Sequence, residues 1–227
     1  MTSVTDQAAT AQPRGRAGRV VRWMELMLPT MAEIRDARPW AQPVLLGWVL
    51  SLLTAWLTVP LVTLVLPDQQ GAATSLIQGW MWAMAALAPL VQGGRALLWT
   101  VATWALLTLG LRETSVRSLF SFFLYGEVLL AIHGLLLALF FQWTVDPGAI
   151  GPSFADPLSL ATYVPSDHGL WGGLVKHLSL VQAGWVAYVG LGGRRVVGLE
   201  AKGAWTLALT LWVGTVAVSA VRISMHG

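Results

Sequence analysis

The chain contains no cysteine, which excludes disulfides, thiol nucleophiles and thiolate metal sites. Charge is scarce too: Asp, Glu, Lys and Arg make up 11% of 227 residues. A water-soluble domain carries about twice that share to cover its surface. There is no HExxH zinc helix, no GxSxG elbow and no GKS/T phosphate loop, so the common hydrolase and nucleotide-binding motifs are missing. Lysine occurs only as Lys176 and Lys202, beside twelve arginines, a bias that points to a GC-rich bacterial genome.

What is present is apolar. Hydrophobic residues make up 56% of the chain, with 13 Trp and a mean hydropathy of +0.64. Residues 43–66 and 203–221 hold no Asp, Glu, Lys, Arg or His. Each is long enough to cross a bilayer, and neither alternates as strands do. The fold class read from this is an all-α membrane protein. The first such run begins only at residue 43, behind a polar, basic segment. That is too deep for a cleavable signal peptide, so the run is expected to stay as a span.

Further spans fall at about 118–141 and 170–193. The stretch from Leu76 to Leu111 is harder to divide, because its single charge is Arg95. As one helix it would be about 54 Å long, against a hydrocarbon core of about 30 Å. The positive-inside rule decides between one crossing and two. With five helices and an internal N-terminus, Arg112, Arg117, Arg194, Arg195 and Lys202 all stay in the cytoplasm. The external loops then carry Asp68, Asp146, Asp156 and Asp167, with no Lys or Arg. Six helices would export both basic loops. The expectation is a bundle of five transmembrane helices in a bacterial cytoplasmic (inner) membrane, with the C-terminus external.

Helix two is then expected from about Pro89 to Leu111. Leu76 to Ala88 is left as an interfacial or shallow re-entrant helix, or as part of a long tilted helix bent at Gly93 and Gly94. Pro89 can also open a helix at no cost, since a first-turn residue needs no N–H. Ahead of the spans, residues 1–18 are polar and read as a disordered cytoplasmic tail. Residues 19–40 read as a cytoplasmic amphipathic helix, with Val20, Met24, Met27 and Met31 near helical spacing and arginines between them. It is expected to anchor to anionic lipid, or to offer a docking face to a partner. The transmembrane domain proper is 41–227. The net charge of +3 belongs to segments that flank the membrane, so no nucleic-acid partner is expected.

With the spans placed, LMLPTMAEIRDARPW, LGLRETSVRSLFSFFLYGEV and HLSLVQAGWVAYVGLGGRR resemble the Yip1 family of five-helix membrane proteins. The similar positions are Pro29, Ile34 and Pro39, then Gly110, Ser115, Phe120 and Tyr125. Gly126 and Glu127 stand where bacterial members carry Leu-Pro, and Lys176 and His177 where an acidic residue is common. The resemblance covers about residues 25–222 and implies a topology more than a function. Eukaryotic members act in vesicle traffic and bind small GTPases through cytoplasmic segments; bacterial members mostly lack an assigned activity.

Ionisable groups inside hydrocarbon are costly and usually face protein or water. Glu127 lies nine residues into helix three, and unpaired it would hold a proton. It reads either as a coupling site or as a neutral carboxyl that ties two helices together. His133 stands about 22 Å along the same helix, at a height that Arg95, Lys176 and His177 share. Together these five could hold an anionic group in the external leaflet. Alternatively Lys176 snorkels outward and helix four begins near Leu178, leaving Arg95 with Glu127 or His133 as the better pair. Asp167, His168 and His177 lack compact ligand spacing, so no metal and no cofactor are expected. Tyr125, Ser121 and Ser118 align on helix three, where hydroxyls usually bond to carbonyls or to a neighbouring helix. Residues 143–169, with four prolines and three aspartates, read as an external lid or a subunit face.

The expected role is a non-catalytic subunit or scaffold that binds membrane lipids and other membrane-protein subunits. The other reading is a transporter-like or lipid-handling protein that binds an anionic group around Arg95, Glu127 and His133. The two part on whether those residues meet at a water-accessible cavity or in dry helix contacts.

Overall fold

A computed structural model describes residues 31, 34, 35, 39–65, 71–110, 112–144 and 179–226, with the backbone alone at 62–65, 72, 73, 144 and 218–226. Among them there are six helices: α1 Ala41–Val65, α2 Ala72–Ala86, α3 Ala88–Leu109, α4 Val116–Thr144, α5 Leu180–Arg195 and α6 Ala201–His226. Two of them, α1 and α4, are each long and apolar enough to cross a membrane. The bent pair α2–α3 adds a third candidate if it is one span. The chain is therefore a helical membrane protein. The expected tail, most of the amphipathic segment, and the 145–169 part of the external loop lie outside the described residues.

The division of the Leu76 stretch is visible. Between α2 and α3 the axis bends by 55° at Leu87. Pro89 stands in the first turn of α3 and has no N–H to continue the α2 ladder, so the helix restarts there. Leu87 closes α2 through its N–H to the Ala83 carbonyl at 2.9 Å and opens α3 by accepting from Leu90 and Val91. Gly93 and Gly94 lie inside an unbroken helix. Neither a bend nor a hairpin occurs at these glycines.

The start of helix four corrects the sequence reading. It begins at Leu180, well after Leu170 and close to the alternative start near Leu178. Ser179 has extended backbone and its side chain accepts from the Gln182 N–H at 3.1 Å, which caps the helix. The signature S-x-x-Q stands in the sequence as Ser179 to Gln182.

Eight consecutive residues of α4, Ser121 to Val128, are buried. Eight residues pass more than twice around a helix, so this half of α4 is enclosed on every side. Hydrogen bonds join Gln42 to Tyr125 and Leu57 to Gln142, which makes α1 parallel to α4. Helices α3 and α5 run antiparallel to α4. The Phe122 ring stacks on Tyr188 at 4.6 Å, and the Tyr188 hydroxyl donates to the Phe122 carbonyl at 2.7 Å. Gly192 makes this possible, because a Cβ there would lie 2.0 Å from the Phe122 ring. Helix α6 returns beside α5, with Trp205 over Gly190 and Ala204 against Gly193. Gly198, at φ 74, turns the chain between them, a conformation that favours glycine.

At the described end of the N-terminal segment one face turns to the protein and another is exposed, with Arg35 open. Ile34 is fully buried in the protein core, and the Ser118 hydroxyl lies 3.5 Å from the Arg35 carbonyl. Met31, read from helical spacing as part of the apolar face, packs against the same core, and Ile34 joins it there; Val20, Met24 and Met27 lie outside the described residues. This end of the bundle also carries Arg35, Arg112, Arg117, Arg194, Arg195 and Lys202, all exposed.

Candidate functional site

Near mid-height of the bundle, Arg95 of α3 pairs with Glu127 of α4. The Arg95 Nε donates to Glu127 Oε2 at 2.9 Å, and Nη2 donates to the same oxygen. The carboxylate side chain is 2% exposed and the guanidinium 50%. Counting rise per residue, Arg95 lies about 21 Å from the end of α3 and Glu127 about 17 Å from the start of α4. The difference of about one turn is within reach of an arginine side chain. Both donors converge on Oε2, so Oε1 accepts no hydrogen bond among the described residues.

The pair forms one wall of a cavity of about 170 Å³. That is the volume of about five or six waters, enough for a small polar group but not for a whole drug-sized ligand. Its floor is built from two indoles. Trp99 lies one turn beyond Arg95 on α3, Trp185 comes from α5, and their rings sit 5.2 Å apart at 51°. Leu130 continues the α4 wall, Gln182 projects from the capped first turn of α5, and Thr215 closes the side from α6. The Thr215 hydroxyl is turned to its own helix, donating to the Leu211 carbonyl at 2.9 Å. Four helices thus contribute to a chamber with one cation, one anion, a carboxamide and two aromatic faces. The pair is overall neutral, and an anion would meet Arg95 while a cation would meet Oε1 or an indole.

Of the five residues singled out from the sequence, Arg95 and Glu127 are brought together. His133 is half-buried elsewhere and does not line the cavity. Six residues along a helix place it about 9 Å beyond Glu127 and about 120° around the axis, so equal depth did not mean a shared face. Lys176 and His177 lie outside the described residues, ahead of the Ser179 cap. Trp99, Gln182, Trp185 and Thr215 were missed. Tryptophan in a membrane sequence reads first as an interfacial anchor, and only the S-x-x-Q cap fixes where Gln182 and Trp185 stand on α5.

Other buried polar groups are structural in kind. The Gln92 amide donates to the Ser51 hydroxyl at 3.2 Å, and Ser51 donates to the Gly47 carbonyl at 2.9 Å, joining α3 to α1. Tyr125 reaches Gln42, as expected of a hydroxyl that ties neighbouring helices. No group of three or more His, Asp or Glu side chains that could hold a metal ion occurs among the described residues. In comparisons with models of protein families, with curated proteins and with solved structures, the chain matches none.

Proposed function

We propose that this chain is a non-catalytic membrane protein of five spans and Yip1-like topology that binds the polar group of an amphiphile in the Arg95–Glu127 cavity. The observation that carries this reading is the position of Arg95. Its guanidinium is half exposed and lines a chamber instead of being sealed in a dry helix contact. A guanidinium in hydrocarbon is costly unless it meets a partner, and here Glu127 is that partner. Its neighbours on the same face of α3 are Val91 and Leu98, 42% and 71% exposed. Beside a pocket that holds a charged pair, that apolar stripe suits acyl chains whose head group enters the pocket.

In this reading α1, the α2–α3 pair, α4, α5 and α6 cross a bacterial inner membrane, with the basic end of the bundle cytoplasmic. The order Arg112 and Arg117, then Arg194, Arg195 and Lys202, on alternate connections supports that orientation. The test is retention of lipid. The purified chain should carry about one tightly held amphiphile, and Thr215→Phe, which fills the cavity, should lose it while remaining folded. Equal retention by Thr215→Phe would remove the cavity from the account.

A second reading is favoured by the exposed basic end. Acting as a subunit or scaffold, the chain would present Arg35, Arg112, Arg117, Arg194, Arg195 and Lys202 to an acidic partner or to anionic headgroups. The two readings are compatible, since they use different parts of the bundle.

A further inference from the structure

We infer that the group bound in this cavity is zwitterionic, an ammonium and a phosphate on one small head group, and not a simple anion. The inference rests on the cavity-binding reading above. An anion would be served by a cationic chamber, but Glu127 cancels the charge of Arg95 on the cavity wall. Both Arg95 donors converge on Oε2, so neither hydrogen bond of Arg95 occupies Oε1. The Trp99 and Trp185 indoles, 5.2 Å apart and tilted at 51°, also line the cavity. A carboxylate oxygen beside aromatic faces is a recognition set for ammonium, since the ring quadrupole attracts a cation and the carboxylate accepts its N–H. The Arg95 side chain is half exposed, and of the five N–H groups of a guanidinium Glu127 engages two, which leaves donors for a phosphate oxygen. Cation and anion sites are then a few ångströms apart in a chamber of head-group size. A ligand with both charges leaves neither end unpaired.

The source of such a group is either a bilayer lipid or a free phosphoamine. The test uses the full chain in mild detergent with equal phosphatidylethanolamine and phosphatidylglycerol of the same acyl composition, read by native mass spectrometry. The wild-type protein should hold the ethanolamine lipid at least about fivefold over the glycerol lipid. Glu127→Gln gives the wall a net positive charge and should abolish or reverse that preference. Trp185→Phe keeps a ring against Trp99 but weakens the cation site, and should lower the preference about three- to tenfold. It also decides the question should Glu127→Gln not fold.

Preference of the wild type for phosphatidylglycerol, lost in Arg95→Leu, would overturn the zwitterion inference and leave cavity binding standing. Retention indifferent to head group and unchanged in both Arg95→Leu and Thr215→Phe would remove both. Competition by soluble phosphoethanolamine settles the source. Displacement of the lipid at equal concentration points to a free phosphoamine, and displacement only at large excess points to the lipid; either supports the zwitterion. Failure to displace at any concentration, joined to an unchanged preference in Trp185→Phe, counts against it.

Discussion

Arg95 and Glu127 form an ion pair of unequal burial: the Glu127 side chain is 2% exposed and the Arg95 side chain 50%. The two ends of the pair therefore respond differently to mutation. Glu127→Gln keeps an oxygen acceptor for the Arg95 N–H groups, and the unpaired charge left behind belongs to the more exposed partner. Glu127→Leu removes the acceptor altogether. We expect the glutamine variant to lose about 1 kcal/mol or less and the leucine variant about 2–3 kcal/mol, the range for a hydrogen bond to a charged group. Unfolding midpoints in detergent would check the order. Equal losses would mean that the Arg95 contact contributes nothing.

The glycines of α5 make a sharper stability prediction. A Cβ at Gly192 meets the Phe122 ring at 2.0 Å, and one at Gly190 meets the Trp205 ring at 2.8 Å. Gly192→Ala should cost about 1–3 kcal/mol by overpacking. Gly203→Ala, where nothing lies within 4 Å, should be neutral or slightly stabilising, since Ala is the better helix former. Combining Gly192→Ala with Phe122→Leu should recover part of the loss, because the clash is with that ring. Additive losses in the double variant would contradict the contact.

How much of this was legible in the sequence follows from which property each feature depends on. The helices over 41–65 and 116–144 follow from apolar length, a sum over residues that needs no knowledge of neighbours. The Arg95–Glu127 pair was half legible for a similar reason: charge inside hydrocarbon must find a partner, and few partners exist. His133 was wrongly grouped with them because depth is readable from rise per residue, while the face a residue presents depends on which helix stands opposite. The break at Leu87 was marked by Pro89, yet the paired Gly93 and Gly94 drew equal attention although the helix runs through them unbroken. The role of Gly192 depends on the Phe122 ring arriving from another helix, 70 residues away along the chain (192 less 122), and no local signal announces it.

Ile34 tests the attachment of the N-terminal segment. Its side chain has no exposed surface and belongs to the core cluster with Phe122 and Phe123. Ile34→Ala should cost about 2–5 kcal/mol, as for other fully buried aliphatic truncations. Ile34→Asp should detach the segment and make it susceptible to limited proteolysis. A segment held by lipid alone would instead respond to salt and to anionic lipid content, and Ile34→Ala would leave its protection unchanged. Measuring protection against salt and against this substitution separates the two attachments.

The final prediction concerns orientation, and the absence of cysteine makes it clean to test. The α3–α4 and α5–α6 connections stand at the same end of the bundle, since α4 runs antiparallel to α5 and α5 to α6. Cysteines placed at Glu113 and at Glu200, both exposed, must therefore behave alike whichever way the bundle is inserted. The positive-inside bias of Arg112, Arg117, Arg194, Arg195 and Lys202 further sets that end in the cytoplasm. In intact cells, an impermeant thiol reagent should miss both positions and label a cysteine at Asp156; after the membrane is opened it should label all three. Labelling of both Glu113 and Glu200 variants in intact cells would invert the orientation while keeping the bundle. Labelling of one without the other would break the antiparallel order of α4, α5 and α6 on which the four-helix cavity depends.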